Sequence, residues 1–178
     1  MRLSSVLPTL AAAGMGMAAP TELEQGQDAN FKREMLAAHN FFRGQHSADP
    51  LSWNPDLAKK AQDWADTCNW AHDSAGENLA SGTGLASWGS FVNLWGSERT
   101  EYDWASPGFS MNTGHFTQVV WKKTRSVGCG WNKCRGGQAK ANGHYIVCKY
   151  DPAGNYIGQF ADNVGEQTGG KPTDVWQQ

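Results

Sequence analysis

The chain of 178 residues lacks the features that mark several common classes of protein. After residue 20, no apolar run approaches the length of a membrane-spanning helix. No Cys-x-x-Cys pair occurs, so the cysteine spacing does not fit zinc. Lys and Arg number 15 against 17 Asp and Glu, and this net charge of -2 gives no reason to expect a nucleic acid or an anionic membrane as a partner.

The sequence also shows no internal repeat, so we expect a single domain that is long enough to bury a core. Residues 1–19 are typical of a secretory signal peptide, with one positive charge, a short apolar stretch and a cut near Ala18 or Ala19. The alternative is a disordered apolar tail. We expect a secreted, extracellular monomer whose four cysteines pair as two disulfides, although no Asn-x-Ser/Thr sequon supports secretion.

The chain ends are polar, and we expect little structure in them. Residues 20–29 predict a frayed leader, and residues 165–178 predict a disordered tail. Between these ends, Asn54 and Pro55 predict the N-cap and the first residue of a helix.

Apolar residues recur at helical spacing from Phe31 to Phe42, and they place His39 on the buried face of a first helix. Two interpretations of His39 stay open: a core histidine bonded to backbone, or an imidazole with a function.

Two carboxylates stand out because of their surroundings in the sequence. Glu77 lies between Gly76 and Asn78 and predicts either a solvated loop residue or a functional one. Glu98 falls on the apolar face of a helix at the spacing of Phe91 and Trp95. A buried carboxylate needs an Arg, a His or a metal ion, so Glu98 predicts a site residue, a salt bridge or a helix cap.

Nine Trp residues are an unusual number, and one of them lies in an aromatic loop. Tyr102, Trp104 and Phe109 occur around a Pro-Gly turn, so we expect them at the surface. They predict either the wall of a site for an apolar ligand or packing onto the core. The next segment, Gly114–Trp121, predicts a short helix that carries His115.

The pattern changes after Thr124 from helical spacing to strands. Ser126–Trp131 and His144–Tyr150 are typical of strands joined by a glycine-rich loop. Helices early and an antiparallel sheet late predict an α+β domain.

Four segments in this order resemble the CAP superfamily of secreted proteins, which includes cysteine-rich secretory proteins, antigen-five venom proteins and pathogenesis-related class one proteins. The similarity covers residues 30–164, and it implies a CAP domain with a three-layer α-β-α sandwich around a central antiparallel sheet. The segments that carry it are His39–Arg43, Gly76–Leu79, Gly114–Trp121 and Tyr145–Tyr156.

The resemblance implies a metal site in a central cleft. Its histidines would be His39 and His115, which would bind a divalent ion, zinc first and magnesium or calcium next, in a non-catalytic role. Glu77 and Glu98 would lie beside them as carboxylates that orient ligands or water. The family also implies the disulfides Cys68–Cys134 and Cys129–Cys148.

The resemblance further implies that the protein binds a sterol or fatty acid, with Tyr102, Trp104 and Phe109 as the lipid-binding residues. Lipid export, defence and virulence are the roles that such relatives suggest. Two other functions remain as alternatives: a module that recognises a host or cell-surface protein, and a weak metal-dependent hydrolase. No Gly-x-Ser-x-Gly or His-Glu-x-x-His motif favours the hydrolase.

The chain departs from the family pattern in two places. Plant relatives carry a further cysteine pair just before the His115 segment, which this chain lacks, so the loop beside the cleft should be looser. Lys149 replaces the uncharged polar residue or arginine that is more usual after Cys148.

Overall fold

The computed structural model describes residues 22–178, and it describes side chains from residue 29 onward. The predicted signal peptide, residues 1–19, therefore lies outside the described residues. In chain order the elements are α1 (Glu22–Gln45), β1 (Ser52–Trp53), α2 (Pro55–Ala65), β2 (Glu77–Gly82), α3 (Gly89–Ser97), a 3-10 turn (Glu98–Glu101), α4 (Gly114–Val119), β3 (Ser126–Arg135), β4 (Asn142–Asp151) and α5 (Phe160–Asn163).

Within the described residues the strands form one sheet in the order β1-β3-β4-β2. β3 and β2 both pair antiparallel to β4, and Cys129 lies directly opposite Cys148. The two-residue β1 adds a parallel edge beside β3. The central sheet is thus antiparallel, as expected, apart from this short edge.

Helices cover both faces of the sheet because the side chains of β4 alternate between two cores. Tyr145 and Val147 pack with Ala61 and Ala65 of α2 on one face. On the other face, the core also contains residues of α1, α3 and α4; its members include Met35, Phe42, Trp95, Phe116, Ile146, Cys148 and Tyr150. The fold is an α-β-α sandwich.

Helix α2 begins where the sequence predicts and lies unusually close to the sheet. The Asn54 side chain accepts hydrogen bonds from the backbone N–H groups of Asp56 and Leu57, at 3.0 and 3.2 Å. A Cβ atom at Gly128 or Gly130 of β3 would overlap the backbone of this helix. Glycine is required at both positions because the helix and strand backbones touch there.

Two disulfides fasten the sheet and its surroundings, and they have the pairings that the family resemblance implies. Cys68, just after α2, is bonded to Cys134 near the end of β3. Cys129 is bonded to Cys148 across the β3–β4 pair. The described residues contain no free cysteine.

The described residues differ from the expectation at both chain ends, although residues 20–21 lie outside them. The backbone is already helical from Glu22, inside the predicted leader, because Glu, Gln and Ala are strong helix formers. The predicted disordered tail is held against the body by the buried guanidinium of Arg99, which donates to the carbonyls of Lys171, Pro172 and Asp174.

Candidate functional site

The first half of the site is a histidine and carboxylate pair at the start of α4. Nδ1 of His115 lies 2.6 Å from Oε1 of Glu98, and both side chains are partly exposed. The other oxygen, Oε2, accepts the backbone N–H groups of His115 and Phe116 at 3.1 and 3.0 Å. Glu98 therefore orients the imidazole and caps the helix at once.

The second half is a matching pair at the start of β2. Oε2 of Glu77 accepts Nδ1–H of His72 at 3.2 Å and the backbone N–H of Asp73 at 3.0 Å. Burial alone would raise the pKa of Glu77, but hydrogen bonds from His72, Lys149 and Asp73 outweigh it and lower that pKa. Glu77 is buried, so its interpretation as a solvated loop residue is wrong.

His72, Glu77 and His115 line one cleft with a volume of about 290 Å³, and Glu98 is connected to it through its bond to the His115 imidazole. Because each imidazole uses Nδ1 to donate to a carboxylate, its Nε2 carries the lone pair when the ring is neutral. Two neutral imidazoles with oriented rings are suitable donors for a transition metal ion. The cleft also contains apolar side chains, Phe109 and Met111.

The aromatic loop divides between the core and the cleft. Tyr102 is buried, and Trp104 packs on it at 4.7 Å between ring centroids and stacks on His46 at 5.9 Å. Only Phe109, of the three predicted lipid-binding residues, lines the cleft. The three side chains do not line one cavity, because Tyr102 packs in the core and Trp104 lines a separate cavity with Arg99 and Pro172.

His39 does not line this cleft, although the family resemblance implied that it would. It is fully buried, Nδ1 donates to the carbonyl oxygen of Met35 at 2.7 Å, and Nε2 accepts the hydroxyl of Tyr150 at 2.7 Å. Burial lowers the pKa of His39 from 6.5 to about 4, so the ring is neutral near pH 7. Both ring nitrogens are occupied, which removes His39 from the possible metal ligands and supports the core interpretation.

A family model describes the whole of this region. Residues 36–150, more than half of the chain, match the cysteine-rich secretory protein family, CAP. The chain belongs to the CAP family. The match lies inside the predicted boundaries of 30–164, and both histidine and carboxylate pairs lie inside the match.

Relatives of this CAP chain include fungal and plant proteins. It is 48% identical over 142 residues to Protein PRY2 of Saccharomyces cerevisiae, which covers 76% of this chain but only 41% of the yeast protein. It is 41% identical over 137 residues to pathogenesis-related leaf protein 4 of Solanum lycopersicum, covering 73% of this chain and 82% of the tomato protein.

Solved structures share the CAP fold of this chain. The crystal structure of MpPR-1i has 26% sequence identity and a TM-score of 0.55, and the match covers 72% of this chain and 91% of that chain. This likeness supports the sandwich assignment.

The histidine that the sequence interpretation missed is His72. It lies in the loop between α2 and β2, five residues before Glu77, where no helical or strand pattern marks it. A signal was nevertheless present, because a histidine so close to a motif carboxylate can bond to it without any long-range packing. The CAP motif and the apolar stripe favour His39 instead.

The donor set of the CAP cleft limits what kind of metal site it can form. Among the described residues, no three or more His, Cys, Asp or Glu side chains are grouped so that they could hold a metal ion. The residues that fit are two imidazoles, His72 and His115, with the remaining coordination positions open to water or to a ligand.

None of the described helices is long and apolar enough to cross a membrane.

Proposed function

We propose that this CAP protein is secreted and binds a small apolar lipid, a sterol or a fatty acid, at the cleft between His72 and His115, together with a divalent cation. The two disulfides and the description of the family as secretory support secretion. The function is binding rather than catalysis.

The observation that carries the lipid proposal is the pair of exposed apolar side chains at the cleft. Phe109 is 49% exposed and Met111 is 82% exposed, although both are large and apolar. Neighbouring apolar side chains exposed beside a concave, partly polar site are typical of ligand-binding surfaces. A flexible Met next to an aromatic ring can adapt to a rigid sterol or to an acyl chain.

The cation proposal depends on the two oriented imidazoles. His72 and His115 would hold the ion, and Glu77 and Glu98 would keep the rings aligned through Nδ1. A bound divalent cation would supply a positive charge that attracts a carboxylate or hydroxyl headgroup. With two protein ligands we expect modest affinity that falls at acid pH, because both imidazoles must be neutral.

The test of the lipid site is binding of a fluorescent sterol to Phe109→Ala, with Leu94→Ala as the matched control. Leu94 is also 49% exposed but does not line the cleft. Phe109→Ala removes the phenyl surface that would be buried against the lipid. Because buried apolar area contributes ~25 cal/mol per Å², this loss should weaken binding about tenfold. The control should bind like the unchanged protein. Equal affinity of the Phe109 variant would remove the cleft from the lipid site.

Trp104→Ala separates the cleft from the rest of the aromatic loop. Its ring packs on Tyr102 and Phe116, so the variant should lose stability while its sterol affinity, measured on the folded fraction, changes little.

The hydrolase alternative has its own test. Metal-dependent hydrolysis of a peptide or ester that His115→Ala abolishes would support it, and absence of turnover in the zinc-loaded protein would count against it. Cross-linking in extracellular fluid followed by pull-down tests the protein-recognition alternative.

A further inference from the structure

Lys149 is a buried cation next to the cleft, and the proposed function gives it no role. It lies on β4 directly opposite Glu77 of β2. Its side chain is only 6% exposed. Nζ lies 2.8 Å from Oε1 of Glu77, 2.8 Å from Oδ2 of Asp73 and 3.0 Å from Oγ of Ser74. All three of its hydrogen bonds therefore go to the segment that begins beside His72.

This contact makes the two halves of the cleft unequal. Glu98 accepts the imidazole of His115 at 2.6 Å and otherwise accepts only backbone N–H groups. Glu77 accepts the imidazole of His72 at 3.2 Å and shares its charge with the ammonium of Lys149. The carboxylate that orients His72 is thus partly neutralised, whereas the one that orients His115 is not.

Asp73, Glu77 and Lys149 form one charged group behind His72. Asp73 and Glu77 carry two negative charges and Lys149 carries one positive charge, which leaves one net negative charge. Burial alone would lower the pKa of Lys149, but its bonds to Asp73 and Glu77 raise that pKa, so the ammonium stays charged. The lowered pKa of Glu77 keeps the carboxylate charged as well.

We propose that Lys149 holds the affinity of the cleft for divalent cations low, by sharing the carboxylate that orients His72. This inference rests on the proposed cation site. A carboxylate bonded to a ligating histidine makes the imidazole a stronger donor, and an ammonium on the same carboxylate weakens that effect. The ammonium also adds repulsion against an incoming cation at short range.

A purely structural role of Lys149 predicts the opposite result. Lys149 ties the turn at Asp73 and Ser74 to the sheet, so losing only this tie would loosen His72 and weaken cation binding. The charge role predicts that losing the ammonium strengthens binding. The direction of the change therefore separates the two.

The experiment is a zinc titration by calorimetry of the disulfide-bonded protein at pH 7.5. Lys149→Gln should bind zinc about tenfold more tightly than the unchanged protein, the size typical of changes to residues behind a metal ligand. Lys149→Arg keeps the positive charge and should bind as the unchanged protein does. Lys140→Gln is the matched control, because Lys140 bonds to Thr67 and Asn69 away from the cleft.

A second variant keeps the test decisive if Lys149→Gln does not fold by circular dichroism. Ser74→Ala removes one of the three hydrogen bonds of Lys149 and changes no charge. The charge role predicts unchanged zinc affinity, whereas the structural role predicts weaker binding. Unchanged or weaker binding by folded Lys149→Gln, or weaker binding by Ser74→Ala, would overturn the inference.

The outcomes also distinguish this inference from the proposed function. Zinc binding by the unchanged protein with no gain in Lys149→Gln overturns only the role of Lys149. Failure of both proteins to bind zinc overturns this role and the cation part of the proposed function. Sterol binding by Phe109→Ala is measured separately and tests the lipid part alone.

Discussion

At the scale of single residues, the role of each histidine follows from the partners of its two ring nitrogens. His39 has partners at both nitrogens and is part of the core. His72 and His115 use Nδ1 for a carboxylate and direct the rest of the ring toward the cleft. Burial and hydrogen bonding thus separate a structural histidine from two candidate ligands.

His39 should make the stability of the protein depend on pH. Its pKa is about 4 in the folded state and 6.5 when unfolded, so only the unfolded state takes up a proton between these values. The contribution of His39 to the free energy of unfolding should therefore be constant above pH 6.5 and fall by up to about 3 kcal/mol as the pH drops to 4. Burial lowers the pKa of His46 to about 4 as well, so His46 adds a fall of similar size over the same range. Urea unfolding from pH 7.5 to 4.5 measures this.

The control for this prediction is His39→Gln, which cannot take up a proton at that position. The variant should be less stable at pH 7.5 by about 2 kcal/mol because two buried hydrogen bonds change. Its stability should fall less steeply with acid than that of the unchanged protein. Identical slopes for both proteins would show that His39 is not the titrating group.

The sequence predicted some of these residues and not others for a physical reason. Glu98 could be found, because helical spacing puts it on an apolar face where a carboxylate requires a partner. His72 lies in a loop without periodicity, so only the folded chain shows that its ring reaches Glu77. The contacts of Lys149 depend on strand register, which the sequence pattern did not give.

At the scale of elements, the C-terminal segment packs like a structural part of the domain. Trp176 lies against Gly89 at the start of α3, where a Cβ atom would overlap its indole ring. Its backbone N–H and carbonyl both bond to the side chain of Asn93, at 2.9 and 3.0 Å. Arg99 holds the preceding carbonyls.

A double-mutant cycle tests the fit of Trp176 on α3. Trp176→Ala should lower the free energy of unfolding by about 2 kcal/mol through lost burial. Gly89→Ala should lower it by a similar ~2 kcal/mol because the added methyl displaces the indole. In the Trp176→Ala background, Gly89→Ala should change the free energy of unfolding very little, because the indole ring that the methyl group would meet is absent. Additive effects in the cycle would contradict the contact.

The helices and strands of the core were predictable from periodicity, whereas this segment was not. Its sequence is polar and contains Gly and Pro, which are typical of disorder. What orders it is a buried arginine far away in the chain, together with one tryptophan. Hydrogen bonds from a distant arginine to backbone carbonyls leave no local signal in the sequence.

At the scale of the whole molecule, the Cys68–Cys134 disulfide closes the longer of the two loops, with a sequence separation of 66 against 19 for Cys129–Cys148. Replacing Cys68 and Cys134 together by Ala should lower the free energy of unfolding by about 4 kcal/mol, mainly by freeing the unfolded chain. Chemical denaturation measures the change. A loss below about 1 kcal/mol would contradict this role.

The cleft itself is a product of the whole fold. The turn after α3 supplies Glu98, α4 supplies His115, and the loop before β2 supplies His72 beside Glu77. The family resemblance predicted three of these four residues, and the fold corrects the fourth from His39 to His72. A motif can identify a site in this way while its exact members depend on packing.

The most direct test of this account is zinc titration of four proteins at pH 7.5: the unchanged chain, His72→Gln, His115→Gln and His39→Gln. The account predicts at least a tenfold loss of affinity in the first two variants. His39→Gln, once shown to be folded, should keep the affinity of the unchanged chain. Retained binding by His72→Gln with loss in folded His39→Gln would contradict the assignment of the cleft.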